Sequence, residues 1–222
     1  MTMSIKYCIF DLDGTLINSL YDLADAMNYA LERNGFPTHD REKYRFMVGS
    51  GISVLADRAM VVPEGTQEEK KASVLADFNS YYSRHYADLT RPYDGITELL
   101  DSLDSRGTGY CVLSNKPDVF TQEIIRRLFP GRKFAAVWGK KDSYPRKPDP
   151  ASVLAIISSL GAVPEQCIYI GDSDIDMQTA ANARLRKIGV SWGFRPVSEL
   201  TAAGADFIAE TPAQILEYIL KL

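Results

Sequence analysis

Cysteine and histidine are both scarce in this chain, with three and two copies among 222 residues. Cys8, Cys111 and Cys167 are far apart and each sits in an apolar run, so they read as small core residues in a reducing compartment rather than as a disulfide framework or a thiolate metal cluster. His39 and His85 fall in a helical stretch and read as ordinary surface or hydrogen-bonded residues. No apolar run approaches bilayer-spanning length, and Asp11 interrupts the first one before it reaches the length of a signal peptide, so a cytosolic protein is expected. Internal repeats, low-complexity tracts and Pro/Ser-rich linkers are also missing. Positive charge is not in excess: the net charge is −4 and the isoelectric point near 5.3, which gives no general attraction to nucleic acid or to an anionic membrane. Neither is expected as a partner, while local phosphate binding remains compatible with this balance.

What is present is an ordinary globular composition, 45% hydrophobic and 24% charged, in a chain long enough for one large domain or a core carrying an insertion. Ile5 to Phe10 is apolar and β-prone, and it ends in Asp11-Leu12-Asp13-Gly14-Thr15. Two acids at the end of a buried strand face the edge where open α/β sheets bind ligands, and their mutual repulsion calls for a cation.

From Leu16 to about Thr90 the pattern is helical throughout. Ser19 is placed to cap a helix over Leu20 to Arg33 that Asn34-Gly35 closes; Gly49-Ser50-Gly51 precedes a second helix, Pro63-Glu64-Gly65 breaks it, and a longer helix carries Val74, Leu75, Phe78, Tyr81 and Tyr82 as packing residues. Beyond Arg91 the pattern alternates. Strands are expected at Gly109 to Leu113, Phe134 to Trp138, Cys167 to Ile170 and Lys187 to Val190, with a short apolar element at Phe207-Ile208. Helices are expected at Ile96 to Ser105, Pro117 to Leu128, Pro150 to Leu160, Ile175 to Ala183 and Pro212 to Leu220. Alternation of this kind implies parallel strands with right-handed crossovers. The fold class is therefore α/β, a Rossmann-like parallel sheet flanked by helices with an inserted all-helical cap domain. Residues 1–16 and 91–222 form the discontinuous core and residues 17–90 the cap, which is expected to act as a lid over the carboxyl edge.

Parallel strands bring four loops to that edge. They carry Asp11 and Asp13; Ser114-Asn115-Lys116; Arg146-Lys147-Pro148; and Gly171-Asp172-Ser173-Asp174-Ile175-Asp176. Oxygen donors without cysteine or histidine suit a hard cation such as Mg2+, which needs few protein ligands and shares a substrate phosphate. A carboxylate beside a metal-bound phosphoryl group can act as a nucleophile once its charge is neutralised, with lysine supplying positive charge, serine a hydrogen bond and a second acid the proton. Lys116 and Arg146 read equally as surface charges or as groups behind the site. Asp174 fits a helix N-terminus, and Trp192 and Arg195 could border the site or pack.

In order and spacing, Asp11-Leu12-Asp13-Gly14-Thr15, Ser114, Lys147 with its proline, and Gly171-Asp172 through Asp176 resemble the four motifs of the haloacid dehalogenase-like hydrolases. The resemblance covers essentially the whole chain, including the helical insertion after the first motif. It implies Asp11 as nucleophile, Asp13 as general acid/base and backbone-carbonyl metal ligand, and Asp172 as a Mg2+ ligand. It also implies that Ser114 and Lys147 hold the phosphoryl group, and that Asp176 supports the metal shell or pairs with Lys147. Dehalogenating members lack the second acid and the metal carboxylate, both kept here, so the implied activity is that of a phosphatase on a small phosphorylated metabolite.

Phe46-Met47-Val48-Gly49-Ser50-Gly51, Ser114-Asn115-Lys116-Pro117 and Ser191-Trp192-Gly193 look most like the phosphoglycolate phosphatase branch. Substrate contacts would then come from Ser114, Asn115 and Lys147 in the core, and from Gly49, Ser50 and Gly51 where those glycines serve more than a helix-breaking turn. Nucleotide and pyrophosphate phosphatases share much of this pattern, a phosphomutase shares the core, and a phosphate- and Mg2+-responsive binding protein is the non-enzymatic alternative. The sequence leaves monomer and dimer equally open.

Overall fold

A computed structural model describes residues 4–60 and 67–222, so the helix break expected at Pro63-Glu64-Gly65 lies outside the described residues. Contacts divide the chain into two units, Met1–Asn18 with Pro92–Leu222, and Ser19–Arg91. In chain order the α-helices are α1 (Leu20–Arg33), α2 (Ile52–Ala59), α3 (Gln67–His85), α4 (Ile96–Ser105), α5 (Asp118–Leu128), α6 (Ala151–Ser159), α7 (Asp174–Asn182), α8 (Val197–Ala202) and α9 (Pro212–Ile219). Among the described residues no helix is long and apolar enough to cross a membrane.

The first unit holds a six-stranded sheet built from β1 (Tyr7–Phe10), β2 (Gly109–Pro117), β3 (Ala136–Lys140), β4 (Cys167–Gly171), β5 (Arg186–Val190) and β6 (Phe207–Ala209). Its order is β3-β2-β1-β4-β5-β6, and every pairing is parallel, as the alternating sequence pattern implies. Ile9 pairs with Cys111 on one side and Tyr169 on the other, so β1 is central and buried on both faces. The strand order reverses between β1 and β4, and it is outside the carboxyl ends of the strands at such a point that open α/β sheets bind ligands.

One face of this sheet packs Ile9, Leu113 and Tyr169 against Val153, Ile156 and Ile157 of α6. Burying a branched aliphatic side chain of this kind contributes about 1.5–3 kcal/mol, so this layer fixes the strands whose ends carry the polar residues. Cys8, Cys111 and Cys167 are buried free thiols, and burial raises all three, Cys111 to about 12 and Cys167 to about 11. They pack as small apolar groups rather than reacting.

Three local expectations change. β2 runs on through Ser114, Asn115 and Lys116 to Pro117 instead of ending at Leu113, with a register shift against β3 between Leu113 and Pro117. β3 itself starts at Ala136 rather than Phe134, because Phe134 packs edge-on against Tyr110 and Phe129 instead of joining the ladder. Helix α8 was not expected: six residues flanked by Pro196 are too few for periodicity to emerge.

In the second unit, α1 buries Leu23, Met27, Ala30 and Leu31, and α3 buries Val74, Phe78 and Tyr82. Helix α1 closes as its Asn34-Gly35 ending implies: Gly35 N–H donates to Glu32 O at 3.1 Å and Phe36 N–H to Leu31 O at 2.9 Å. Ser19 occupies the N-cap position but makes no side-chain capping bond, because its backbone, φ −108° and ψ 7°, leaves the extended conformation that capping needs. His39 bonds Ala59 O through Nε2 and donates its N–H to Asn28 Oδ1, while His85 pairs with Asp88.

Candidate active site

Asp11 leaves β1 with its N–H donating to Ile170 O at 2.9 Å, one step beyond the strand's last ladder pair. The chain then tightens: Leu12 O accepts from Leu16 and Ile17, and Gly14 N–H donates to Ile17 O at 2.8 Å. Gly14 has φ +89°, and a Cβ there would lie 2.2 Å from Asp172 Oδ2. Across the same carboxylate, a Cβ on Gly193 would lie 2.2 Å from Asp172 Cβ. The Asp172 side chain, delivered by the end of β4, therefore fits only between two glycines, where Phe194 N–H donates to its Oδ2 at 2.7 Å.

Lys147 links three chain segments. Its ammonium lies 2.8 Å from Asp11 Oδ1, an ion pair without the alignment of a directed hydrogen bond, and 2.7 Å from Asp176 Oδ1. Asp176 is held in turn by the capping box of α7: Ser173 Oγ–H donates to Asp176 Oδ2 at 2.6 Å, Ser173 N–H at 3.2 Å, and Asp176 N–H returns to Ser173 Oγ. Tyr169 O–H adds a longer bond to Asp176 Oδ1 at 3.4 Å. Both oxygens of Asp176 are thus engaged, and its position in the structure is that of a partner for Lys147.

Asn115 grips the backbone of Lys147 from the other side, accepting its N–H at 2.9 Å and donating to its carbonyl at 3.3 Å. Its amide is directed at the chain that carries the lysine, whereas the sequence placed Asn115 among the substrate contacts. Ser114 is buried at the same edge, and its Oγ accepts from Lys116 N–H at 3.2 Å.

Lys116, which the sequence left between a surface and a supporting role, is buried. Its ammonium donates to both oxygens of Asp13, at 2.9 and 3.1 Å. Trp192 Nε1–H donates to Thr15 O at 3.0 Å, and Arg195 pairs with Glu199 at 3.4 Å. Asp174 sits in the first turn of α7, where it accepts from Gln178, and the Lys147–Pro148 peptide is cis. Gly49, Ser50 and Gly51 lie in the second unit at the start of α2, where Arg58 donates to Met47 O and Ser50 Oγ.

The electrostatics follow from crowding. Burial, with Asp176 nearby, pushes the Asp11 carboxyl up to about 7 against the pull of Lys147. Burial and the carboxylates of Asp176 and Asp11 hold Asp172 well above its ordinary value. Burial alone would lower the Lys147 ammonium, but Asp11 and Asp176 outweigh it and hold it well above the usual lysine range. Asp11, Asp172 and Asp176 each offer an oxygen within 4.8 Å of the others. With Asp176 already engaged, Asp11 and Asp172 are the carboxylates that a further cation would relieve, and an all-oxygen donor set fits a hard divalent ion.

Residues 8–190 match the family model described as haloacid dehalogenase-like hydrolase. The chain is 30% identical over 220 residues to the phosphoglycolate phosphatase of Vibrio parahaemolyticus, covering 97% of this chain and 96% of that protein. It is 34% identical over 200 residues to phosphoglycolate phosphatase 1 of Pseudomonas aeruginosa, covering 87% and 73%. Among solved structures, a proposed phosphoglycolate phosphatase from Lactobacillus delbrueckii superposes with a TM-score of 0.91 at 35% identity, over 98% of this chain and 99% of that one.

Proposed function

The chain belongs to the haloacid dehalogenase-like hydrolases, and from that premise we propose that it is a cytoplasmic, Mg2+-dependent phosphatase of small phosphate monoesters, with 2-phosphoglycolate as the leading substrate. The observation that carries this reading is Lys147 bridging Asp11 and Asp176 beside Asp172, at the sheet's switch point. The identity to two phosphoglycolate phosphatases supports the substrate.

In this mechanism an Asp11 oxygen attacks phosphorus, the ester P–O bond breaks, and Asp13 gives a proton to the departing oxygen. Asp13 then takes a proton from water as that water attacks the acyl phosphate, which releases inorganic phosphate and restores the Asp11 carboxylate. Lys147 offsets charge on Asp11 and on the phosphoryl oxygens, with Asn115 and Asp176 fixing where its ammonium stands. Ser114 donates a hydrogen bond to a phosphoryl oxygen. Asp11, Asp172 and the Asp13 carbonyl would hold the Mg2+, which when bound supplies positive charge against the nucleophile and the phosphate.

The test is phosphate release from an aryl phosphate and from 2-phosphoglycolate, with Mg2+ and with chelator. Turnover is expected to require the metal and to fall by about four orders of magnitude or more in Asp11→Asn. Chelator-resistant turnover undiminished in that variant would refute the mechanism.

A further inference from the structure

The site holds two lysines, and the chemistry above uses one. Lys147 serves the nucleophile, standing between Asp11 and Asp176. Lys116 stands on the other acid, its ammonium donating to both oxygens of Asp13 and its side chain only 3% exposed. It is also a placed group rather than a mobile one. Its N–H donates to Ser114 Oγ, its carbonyl accepts from Thr121 Oγ1, and two residues on Asp118 Oδ1 accepts from Gly139 N–H at 2.8 Å, which pins this segment to β3.

In the proposed reaction Asp13 serves the leaving oxygen, so whatever touches Asp13 borders the leaving group. We infer that Lys116 is the specificity-determining residue of the core, pairing with an anionic substituent on the alcohol half of the ester and so selecting phosphate monoesters of α-hydroxy acids. This rests on the phosphatase reading. A carboxylate one carbon from the leaving oxygen has the charge and the reach to meet an ammonium already within hydrogen-bond distance of the proton donor. A neutral leaving group has nothing to offer it. In a buried setting an ammonium discriminates strongly between a carboxylate and a neutral group of the same shape. A purely supporting lysine would hold Asp13 in place for every substrate alike, and this difference makes the two roles separable.

The experiment compares 2-phosphoglycolate with 2-phosphoglycolamide, in which a neutral amide replaces the carboxylate, in the wild type, Lys116→Met, Lys116→Gln and Lys116→Arg with Mg2+ present. The wild type is expected to favour the charged ester. The ratio of kcat/KM values should collapse by roughly tenfold or more in Lys116→Met, chiefly through KM for 2-phosphoglycolate, and recover in part in Lys116→Arg. Lys116→Gln keeps a donor for Asp13 and covers the case in which the methionine variant does not fold; it should show the same collapse. An unchanged ratio, with both esters losing rate together, overturns the specificity role and leaves the phosphatase reading standing. Release of phosphate from neither ester by the wild type overturns both.

Discussion

Asp22 in the helical unit and Asp11 in the sheet unit are both buried carboxylates, 3% and 7% exposed, yet their surroundings are opposite. Asp22, in the first turn of α1, accepts from Leu89 N–H, Thr90 N–H and Thr90 Oγ–H at 2.6 to 3.1 Å, so its charge is met by donors that tie the unit's C-terminal end to its first helix. Asp11 faces Asp176 and Asp172, with Lys147 as the opposing charge, and burial pushes it up to about 7. A buried acid whose oxygens are satisfied by backbone donors is architecture. A buried acid crowded by other acids is poised for a cation and a reaction.

The sharpest way to break this comparison is to remove each acid in turn. Asp22→Ala leaves the Leu89 and Thr90 donors without their acceptor and should cost on the order of 3 kcal/mol of stability. Its kcat should remain close to that of the wild type. Asp11→Asn removes a strained charge and should keep, or raise, the metal-free stability while losing turnover. Urea unfolding in chelator, paired with phosphate release in Mg2+, reads both; equal destabilisation by the two substitutions would erase the distinction.

A smaller effect lies in pH. A carboxyl raised to about 7 in the folded state, from an ordinary 3.8, binds a proton that the unfolded chain has already lost between those values. Stability from this group is therefore full below about pH 4, falls as pH rises through 7, and is absent above it. Metal-free wild-type protein should melt several degrees lower at pH 8 than at pH 5.5, and Asp11→Asn should show a flatter slope. Mg2+ should raise the melting temperature more at pH 8, where the Asp11 carboxyl is ionised. Identical slopes in the two proteins would show that Asp11 is not the strained group.

Much of the sheet unit was legible because its signals are local. Alternating strands and helices gave a parallel sheet; Asp11 and Asp172 announced themselves by following apolar runs, and Lys147 by lying in the polar loop after the next parallel strand. Lys116 did not, because Ser-Asn-Lys-Pro reads as a turn. The partner that helps make a buried lysine tolerable at that point in β2, Asp13, lies more than a hundred residues earlier in the chain. Asn115 was legible as a site residue but not in its orientation toward the Lys147 backbone, which depends on β2 extending to Pro117. Gly193 was read as part of the Ser191-Trp192-Gly193 resemblance but not in its role: its value lies in the absence of a side chain where Asp172 must fit, a constraint that only three-dimensional proximity creates. In the helical unit the periodic faces of α1 and α3 were readable, while the tie from Asp22 to Leu89 and Thr90 spans too much sequence to be seen as a pattern.

The most direct test is to look for the covalent intermediate itself. Enzyme mixed with 2-phosphoglycolate and Mg2+, quenched in acid within one turnover and digested, should yield a phosphoryl adduct on the peptide carrying Asp11, lost on mild base treatment and absent from Asp11→Asn. Turnover that proceeds with no adduct at Asp11, or with an adduct on another residue, would contradict the account.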